Sequence, residues 1–404
     1  MAARRSAFQA LLFFVGLFLT CMCCLMLQIV ETRILSVIAF YHLAFFAISM
    51  AMFGMTAGSL LVYFKAHLFP PQQLLANLSW IGSWFSVAVV VSTLLMISLA
   101  VVSTTHDPGM SVLAWLNMIA ILVPPYVFAG MAVSLALTRS PWRVGLEYGV
   151  EMIGAASGCL IVLALLQWLD GISALIAVGA IAAAGAACFA GARKADIPAV
   201  PAPGARQLAK FGPIRHPAAL AALFAILAGV NTAIQPYGLR LSIAHNHIET
   251  DTTPSTIRWN SFSRVKASQD EVESPRMWGP SPKMPNTLVS ERTMDIDGDA
   301  GTGINPFSGN LTELDFLRYD VTNLAYAIRT QGRAAIIGVG GGRDLLPAYI
   351  YGFRDVTGVE LNPIFVDLLT KRFRDYNQLA DLPGMRLFVD ERGVGLLVHP
   401  SNSI

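Results

Sequence analysis

Charged residues are scarce in this chain, and that scarcity limits what the protein can be. Only 13% of its 404 residues are Asp, Glu, Lys or Arg, against about 25% in ordinary soluble domains, whereas 54% are hydrophobic. The net charge is only +2, and no tract of Lys and Arg with interleaved aromatic residues occurs. The composition therefore indicates a membrane protein with lipid as a partner, and it argues against nucleic acid as one.

Metal-ligand motifs are also lacking. All five cysteines lie in apolar segments, and no histidine or carboxylate stands within a few residues of the cluster at 21–24. Cysteines in such segments act as small apolar packing residues. We therefore expect neither a disulfide framework nor a metal site. The cysteines are Cys21, Cys23, Cys24, Cys159 and Cys188.

Long apolar runs dominate the first 237 residues. A helix needs about 20 mostly apolar residues to cross the hydrocarbon core of a bilayer. The first run follows Arg4 and Arg5 as a signal peptide would, but it is long and lacks a small-residue cleavage site, so we expect it to be retained. Residues 1–237 are thus predicted to form a multi-span α-helical membrane domain. Its seven candidate spans are 7–30, 41–64, 80–102, 111–137, 148–168, 172–191 and 217–237.

The basic residues between these runs fall almost entirely on one side of the predicted membrane. Arg33 alone lies in a short loop on the other side, so the positive-inside rule places the N-terminus in the cytoplasm. Seven crossings then place the C-terminal part outside, away from nucleosides made in the cytosol. Either one apolar segment does not span the membrane, or the C-terminal domain is external.

A few acidic residues lie within or beside the spans, where burial in lipid is costly. Glu31 ends the first run, and Glu147 and Glu151 open the fifth. Glu151 falls one turn inside its run and is the best candidate for a functional group within the membrane. The simpler interpretation, which we favour, is an interfacial carboxylate near Arg139 or Arg143.

After Leu239 the composition changes to Thr, Ser, Pro and Asp, which indicates a soluble part. Residues 238–331 are predicted to form a small region that contains β-strands. Within it, 257–265 has the pattern of one strand, 266–293 that of a loop, and 291–304 that of a strand entering a turn.

Residues 332–404 alternate short apolar strands with helical patterns, which predicts a parallel sheet in an α/β domain. A glycine-rich turn follows the first strand and would let the backbone approach a ligand closely, while an acid ending the second strand can hold two ribose hydroxyls. Acids also end the third strand, at the same edge of the sheet. The pattern predicts an incomplete Rossmann unit that binds a nucleoside. The residues concerned are Gly338, Gly340, Gly341, Gly342, Glu360, Asp390 and Glu391.

These motifs resemble those of the spermidine synthase (polyamine aminopropyltransferase) family, and specifically its bacterial members with an N-terminal multi-span membrane region. The resemblance covers about 257–391 and includes Gly-Val-Gly-Gly-Gly-Arg-Asp at 338–344, Gly-Val-Glu-Leu-Asn-Pro at 358–363 and Val-Asp-Glu at 389–391. It implies a small β-strand domain followed by a methyltransferase-like Rossmann domain. It also implies an integral protein of the bacterial inner membrane, and a homo-oligomer as an expected state.

The resemblance further implies transfer of an aminopropyl group from decarboxylated S-adenosylmethionine to a small-molecule amine. By the same resemblance Glu360 would bind the ribose hydroxyls, Asp390 or Glu391 the adenine side, and the turn at 338–342 the tail of the cosubstrate. Soluble synthases carry an acid within the glycine run, whereas here Asp344 is the nearest acid and the one we expect to contact the ligand.

Two departures from the family pattern leave the catalytic residues unassigned. The Tyr-His-Glu of soluble synthases is Tyr319-Asp320-Val321 in this chain. The family's next strand, which bears a proton-accepting aspartate, is not recognisable before the sequence ends at Ile404, so we expect a C-terminally truncated or frame-shifted product. With three strands, the strand at 334–338 would form an edge with an uncovered apolar face.

Three functions follow from these observations. The first is a membrane-bound aminopropyltransferase-like protein that truncation would inactivate if the missing strand is needed. The second is an S-adenosylmethionine-dependent methyltransferase, which would release S-adenosylhomocysteine and not methylthioadenosine. The third is a non-enzymatic membrane transporter or scaffold with a vestigial soluble domain.

Overall fold

The structure is a computed structural model that describes residues 2–38, 43–99, 108–194, 216–244, 247–249, 255–261, 263–329 and 331–389. It divides into two compact units. The helical unit comprises Met1–Thr250 and Trp259–Ser261. The sheet unit comprises Asp251–Arg258 and Phe262–Ile404. The predicted boundary at 237 lies just after the last helix of the helical unit.

Apolar helices build the helical unit. They are α1 (Ala2–Ile38), α2 (Leu43–Phe64), α3 (Leu74–Leu99), α4 (Pro108–Arg139), α5 (Val144–Trp168), α6 (Gly171–Lys194) and α7 (Pro217–Ala233). Six of them, α1 to α6, are long and apolar enough to cross a membrane, which indicates a membrane protein.

The seventh predicted span, 217–237, is shorter than expected. It forms α7, an apolar helix of 17 residues, or about 25 Å against a hydrocarbon core of about 30 Å. The helix ends at Ala233 because Pro236 follows, and the residue before a proline is disfavoured in helical conformation. The expectation of seven full-length spans is therefore corrected to six and one shorter apolar helix.

Helix α7 runs antiparallel to α6. Asn231, near the end of α7, donates from Nδ2 to the hydroxyl of Ser173, near the start of α6, over 2.8 Å. Further along the pair, Phe224 lies beside Gly179. Asn231 also accepts the N–H of Leu239 at 2.5 Å, which fixes the chain just after it leaves α7.

Glycines bring the long helices into close backbone contact. A Cβ at Gly54 would lie 2.6 Å from Cβ of Tyr126, and one at Gly58 would collide with the carbonyl oxygen of Val127, so α2 and α4 need the missing side chains. Gly154 and Gly158 do the same for α5 on α1, where an added Cβ would lie 2.7 and 2.6 Å from carbonyl oxygens. Small residues at such contacts let the helices pack closely, and this van der Waals packing drives their association in lipid, where the hydrophobic effect does not act between helices.

Strands follow the last helix. They are β1 (Ile243–Ala244), β2 (His247–Ile248), β3 (Thr256–Trp259), β4 (Arg264–Glu273), β5 (Val289–Ile296) and β6 (Ala300–Ile304). The first two pair with each other, and β3 to β6 form a sheet in sequential order. Asp297, with a positive φ of 55°, and Gly298 turn the chain from β5 into β6.

Two predictions for this region are wrong. The single strand expected at 257–265 is broken between Trp259 and Arg264, where buried Asn260 and Ser263 interrupt the apolar alternation. The loop expected at 266–293 is shorter than predicted and covers 274–288, because its two ends belong to β4 and β5, where charged side chains such as Asp270 and Arg292 pair across the strands. The charged residues of these two strands led to the prediction of a loop, although they form the polar face of an amphipathic hairpin.

The remaining elements alternate strands with short helices. A 3₁₀ segment at Leu311–Tyr319 precedes α8 (Leu324–Ile328), and then follow β7 (Ala334–Ile337), α9 (Leu345–Ile350), β8 (Val356–Glu360), α10 (Pro363–Asp367), α11 (Arg374–Asn377) and β9 (Met385–Val389). The three strands are parallel in the order β7-β8-β9. Strand β7 is one edge of this described sheet, and its Ile337 is 74% exposed.

One apolar core serves the sheet unit. Val265 and Met294 from the antiparallel sheet are fully buried together with Leu345 and Phe365 from the helices of the parallel sheet. This shared core holds β6 against the glycine-rich turn after β7, which positions the site described next.

Candidate functional site

The glycine-rich turn after β7 needs its glycines. Gly338, Gly340 and Gly342 have positive φ values of 81°, 51° and 82°, which residues other than glycine rarely adopt. Gly341 is required for a different reason, because a Cβ there would collide with the carbonyl oxygen of Gly303 on β6. The turn therefore lies against the antiparallel sheet more closely than any side chain would permit.

Two side chains hold the turn in place. The hydroxyl of Thr302 on β6 accepts the N–H of Gly341 at 3.1 Å. Oε2 of Glu360, at the end of β8, accepts the N–H of Gly340 at 2.9 Å. Glu360 is only 8% exposed, and its Oε1 accepts the N–H of Asn362 at 3.0 Å. The structure thus brings Glu360 and the predicted glycines together at the carboxyl edge of the parallel sheet.

Asn362 supports this arrangement from behind. It is 5% exposed, and its side-chain oxygen accepts the N–H of Ile364 at 3.1 Å, which caps α10. Its Nδ2 donates to the hydroxyl of Ser263 at 2.8 Å. The acid at the end of β8 is therefore held by a network that reaches the antiparallel sheet.

A pocket of about 360 Å³ opens beside the turn. Three segments form its walls: the loop before β5, strand β6, and the glycine-rich turn with the two residues after it. Trp278 is 79% exposed at this pocket and offers an aromatic face to a ligand. The lining residues are Arg276, Met277, Trp278, Gly301, Thr302, Gly303, Gly338, Val339, Gly340, Arg343 and Asp344.

A buried ion pair anchors the loop over the pocket. Arg343 donates to the carboxylate of Asp320 and to the carbonyl oxygen of Arg276. Asp320 is 3% exposed and also accepts the N–H groups of Trp278 at 3.2 Å and Gly279 at 3.3 Å. Asp320 stands in the Tyr-Asp-Val segment singled out above, so this departure from the soluble synthases has a structural role in the present chain.

The acidic side chain that lines the pocket lacks the charged partners that the two arginines of the pocket have. Arg343 is neutralised by Asp320, and Arg276 pairs with Glu273 at 3.0 Å. Among the described residues the carboxylate of Asp344 makes no hydrogen bond or salt bridge, and desolvation raises its pKa although Arg343 opposes the shift. An unpaired carboxylate in a half-buried pocket favours a cationic ligand.

Glu291 adds a second acid close to the pocket wall. It is 2% exposed on β5, and its Oε1 has no hydrogen-bond partner among the described residues. The carboxyl group lies over Gly303, where a Cβ would collide with it. Burial raises the pKa of Glu291, while Arg343 and Arg276 act in the opposite direction.

The sequence missed most of the pocket. Of the predicted residues, Gly338, Gly340 and Asp344 line it, and Gly341, Gly342 and Glu360 shape it. Asp390 and Glu391 lie outside the described residues. The missed residues Trp278, Thr302 and Arg343 come from three separate segments, and only the adjacency of Arg343 to the glycine run could have pointed to any of them. Among the described residues, no group of three or more His, Cys, Asp or Glu is placed to hold a metal ion.

The predicted intramembrane acids occupy different environments. Glu31 is 1% exposed and accepts a 2.6 Å hydrogen bond from the hydroxyl of Tyr126. Glu147 is wholly buried, and neither of its carboxylate oxygens has a hydrogen-bond partner among the described residues. Glu151, the preferred candidate from sequence, is only partly buried. Glu31 and Glu147 are therefore better candidates than Glu151 for a functional group within the membrane.

The chain was compared with protein-family models, with curated proteins and with solved structures. No family model, no curated protein and no solved structure matches it. The resemblance to the spermidine synthase family therefore remains a prediction from the motifs alone.

Proposed function

We propose that the protein is a membrane-bound transferase that binds an S-adenosyl-type nucleoside in the sheet unit and transfers an aminopropyl group from decarboxylated S-adenosylmethionine to an amine. The observation that carries this proposal is the unpaired carboxylate of Asp344 beside a glycine turn whose Gly340 is hydrogen-bonded to Glu360. The donor is a sulfonium with a terminal amine, so a pocket with an uncompensated acid suits it.

The chemistry assigned to these residues is binding and alignment. The reaction is a displacement at a carbon beside the sulfonium, so the enzyme chiefly needs to align a neutral amine with that carbon. In this proposal Glu360 holds the ribose hydroxyls in a Rossmann-like unit, Asp344 binds the amine of the tail, and Trp278 covers the ligand. No residue is proposed as the base that takes up the proton of the acceptor amine.

The first test is calorimetric titration of the full chain in detergent with decarboxylated S-adenosylmethionine and with S-adenosylmethionine. We expect micromolar binding of the decarboxylated compound that Glu360→Gln and Asp344→Asn each weaken at least tenfold. Asp355→Asn is the matched control, because Asp355 lies at the opposite end of β8 and pairs with Arg386 at the surface. Absence of binding to the unsubstituted chain would reject the proposal and leave any function to the helical unit.

A methyltransferase is the second candidate, and the observation that favours it is Arg276, which lines the pocket and whose ion pair with Glu273 is exposed to solvent. S-adenosylmethionine retains a carboxylate that its decarboxylated form lacks, and arginine binds carboxylates in bidentate geometry. Tighter binding of S-adenosylmethionine, lost in Arg276→Gln, would support this candidate. Product analysis then separates the two, since methyl transfer releases S-adenosylhomocysteine and aminopropyl transfer releases methylthioadenosine.

We also propose that the protein resides in a bacterial inner membrane with its N-terminus in the cytoplasm, and that α7 crosses despite its length. The support is the antiparallel contact between Asn231 and Ser173, because α7 then returns to the level at which α6 begins. Residues after α7 would emerge on the side opposite Lys65.

Cysteine labelling tests this orientation in whole cells. All five native cysteines are replaced by alanine, and Tyr237→Cys and Lys65→Cys are introduced separately. Tyr237 is 82% exposed, so a cysteine there is reachable. We expect an impermeant maleimide to label position 237 only from outside and position 65 only after the cells are opened. Labelling of both positions from the same side would show that α7 does not cross.

A further inference from the structure

Two buried protonatable side chains meet inside the helical unit. Glu31 of α1 is 1% exposed, Tyr126 of α4 is fully buried, and the tyrosine hydroxyl donates to Oε2 of Glu31 over 2.6 Å. Both residues lie within candidate membrane spans, Ala7–Ile38 and Val112–Arg139. Ionisable groups at such positions are costly and characteristically mark ion or proton pathways.

The surroundings of Glu31 provide no cation among the described residues. Arg33, two residues further along α1, donates to the carbonyl oxygen of Ser261 instead. The titratable groups that face Glu31 are Tyr126 and Cys24, and the thiol of Cys24 contacts the sulfur of Met55 at 3.3 Å. A buried carboxyl with one neutral donor and no counter-charge is stable as the protonated acid.

Two consecutive prolines in α4 lie next to Tyr126. Pro124 and Pro125 immediately precede Tyr126, near the middle of the span Val112–Arg139. Neither proline has an N–H, so the carbonyls of Ala120 and Ile121 lose their helical donors. Helix α4 continues through both prolines, so these two carbonyls are polar backbone groups without helical donors close to Tyr126.

A second buried carboxyl lies towards the other end of α1. Glu147 of α5 is wholly buried, and both of its oxygens lack hydrogen-bond partners among the described residues. Helix α5 packs alongside α1 in parallel, with Gly154 over Phe18 and Gly158 over Met22. By this register Glu147 is level with residue 11, so it lies about 30 Å from Glu31 along α1, close to the thickness of the hydrocarbon core.

Protonatable groups also occupy the interval between these two acids. Cys24 is within electrostatic range of both Glu31 and Glu151, and Cys21 is within range of Glu151. The series Glu147, Glu151, Cys21, Cys24 and Glu31 thus follows one helix across the helical unit.

We propose that the helical unit contains a proton pathway along α1, in which Glu31 hydrogen-bonded to Tyr126 is the proton-binding site at one end and Glu147 is the site at the opposite end. The step is reversible protonation: Glu31 releases its proton as a carboxylate and regains one as the neutral acid, while the hydroxyl of Tyr126 stabilises the charged form. This activity is independent of the nucleoside site.

Infrared difference spectroscopy of the full chain in lipid tests the binding site. We expect the carbonyl band of a protonated carboxyl to disappear as the bulk pH is raised, to be absent in Glu31→Gln, and to shift in Tyr126→Phe, which removes the hydrogen bond with little change in shape. A band that persists at every pH at which the protein stays folded would overturn the proposal, since such a carboxyl would be only a packing element. The same conclusion follows if Glu31→Gln leaves the spectrum unchanged.

Proton uptake into liposomes tests the pathway. The full chain is reconstituted, an inside-negative potassium diffusion potential is imposed, and an enclosed pH dye reports the flux. We expect uptake above that of protein-free liposomes, reduced at least tenfold in Glu31→Gln and in Glu147→Gln. Glu313→Gln, an exposed carboxyl in the sheet unit, is the control and retains the flux. Flux equal to that of empty liposomes, or unaffected by both intramembrane variants, would overturn the pathway.

Discussion

The two units of this protein bury acidic side chains in opposite ways. In the sheet unit Asp320 pairs with Arg343 and accepts backbone N–H groups of the loop over the pocket. In the helical unit Glu31 has only a neutral tyrosine, and Glu147 has no hydrogen-bond partner among the described residues. The comparison separates an acid that organises structure through an ion pair from a carboxyl for which we propose proton exchange.

The physical reason for the difference is the surrounding medium. An ion pair requires both partners to leave water, and several hydrogen bonds offset that cost at Asp320. Inside a bilayer each further charge adds its own free-energy cost of leaving water. A neutral acid that accepts one hydrogen bond avoids that cost. A buried acid that holds a loop therefore suggests a structural role, whereas a buried acid within a membrane span suggests a role in proton exchange.

Removal of the charge at position 320 has the largest expected effect. We expect Asp320→Ala to destabilise the sheet unit by about 3–5 kcal/mol, because Arg343 is left buried without its partner. Pulse proteolysis of the full chain in detergent with increasing urea measures the change. Asp315→Ala is the control: Asp315 pairs with Arg318 at the surface, so its loss is expected to cost about 0–1 kcal/mol. Equal effects from the two variants would contradict the role assigned to Asp320.

A methyl group at Gly58 gives the next largest expected effect, and it extends the comparison to packing. We expect Gly58→Ala to destabilise the helical unit by about 1–3 kcal/mol, since its Cβ would meet the backbone of α4. Gly149 has no neighbouring heavy atom within 4 Å of an added Cβ, so Gly149→Ala is expected to stay within about 0.5 kcal/mol of the parent. Thermal unfolding in detergent compares the two, and a neutral Gly58→Ala would show that α2 and α4 can separate at no cost.

The smallest expected effect is a pH dependence at the pocket. Desolvation raises the pKa of Asp344, so its carboxylate forms at a higher pH than that of an exposed aspartate. Affinity for a cationic ligand should therefore increase as the pH rises through this raised pKa, and then level off. We expect Asp344→Asn to weaken binding about tenfold and to flatten the profile, in line with the loss of one charge-assisted hydrogen bond. Calorimetry over a pH series provides the measurement, and an unchanged profile in the variant would assign the titration to another group.

Glycines extend the contrast between the two units. In the helical unit Gly58 keeps helical geometry and acts through its missing side chain. In the sheet unit Gly340 acts through a positive φ that places its N–H on Glu360. The sequence distinguishes these roles only by spacing, since four-residue intervals indicate a helix face and adjacent glycines indicate a turn.

The amino-acid sequence by itself determined the local features. The apolar helices, the glycine turn after β7 and the acid ending β8 could all be predicted, because hydropathy, strand period and turn chemistry act over a few residues. The bounds of individual elements could not be predicted where several local preferences compete. The helical pattern that follows Glu360 is divided into α10, a π-helical segment at Leu368–Arg372 and α11.

Only the tertiary structure decided which distant side chains meet. Tyr126 reaches Glu31 across 95 residues, and Thr302 reaches Gly341 across 39. No periodicity within either segment specifies such a pair, since a hydrogen bond between elements depends on how their helices and strands pack. For this reason the sequence ranked Glu151, which lies one turn inside its span, first among the candidate intramembrane acids, whereas the packed helices enclose Glu31 completely.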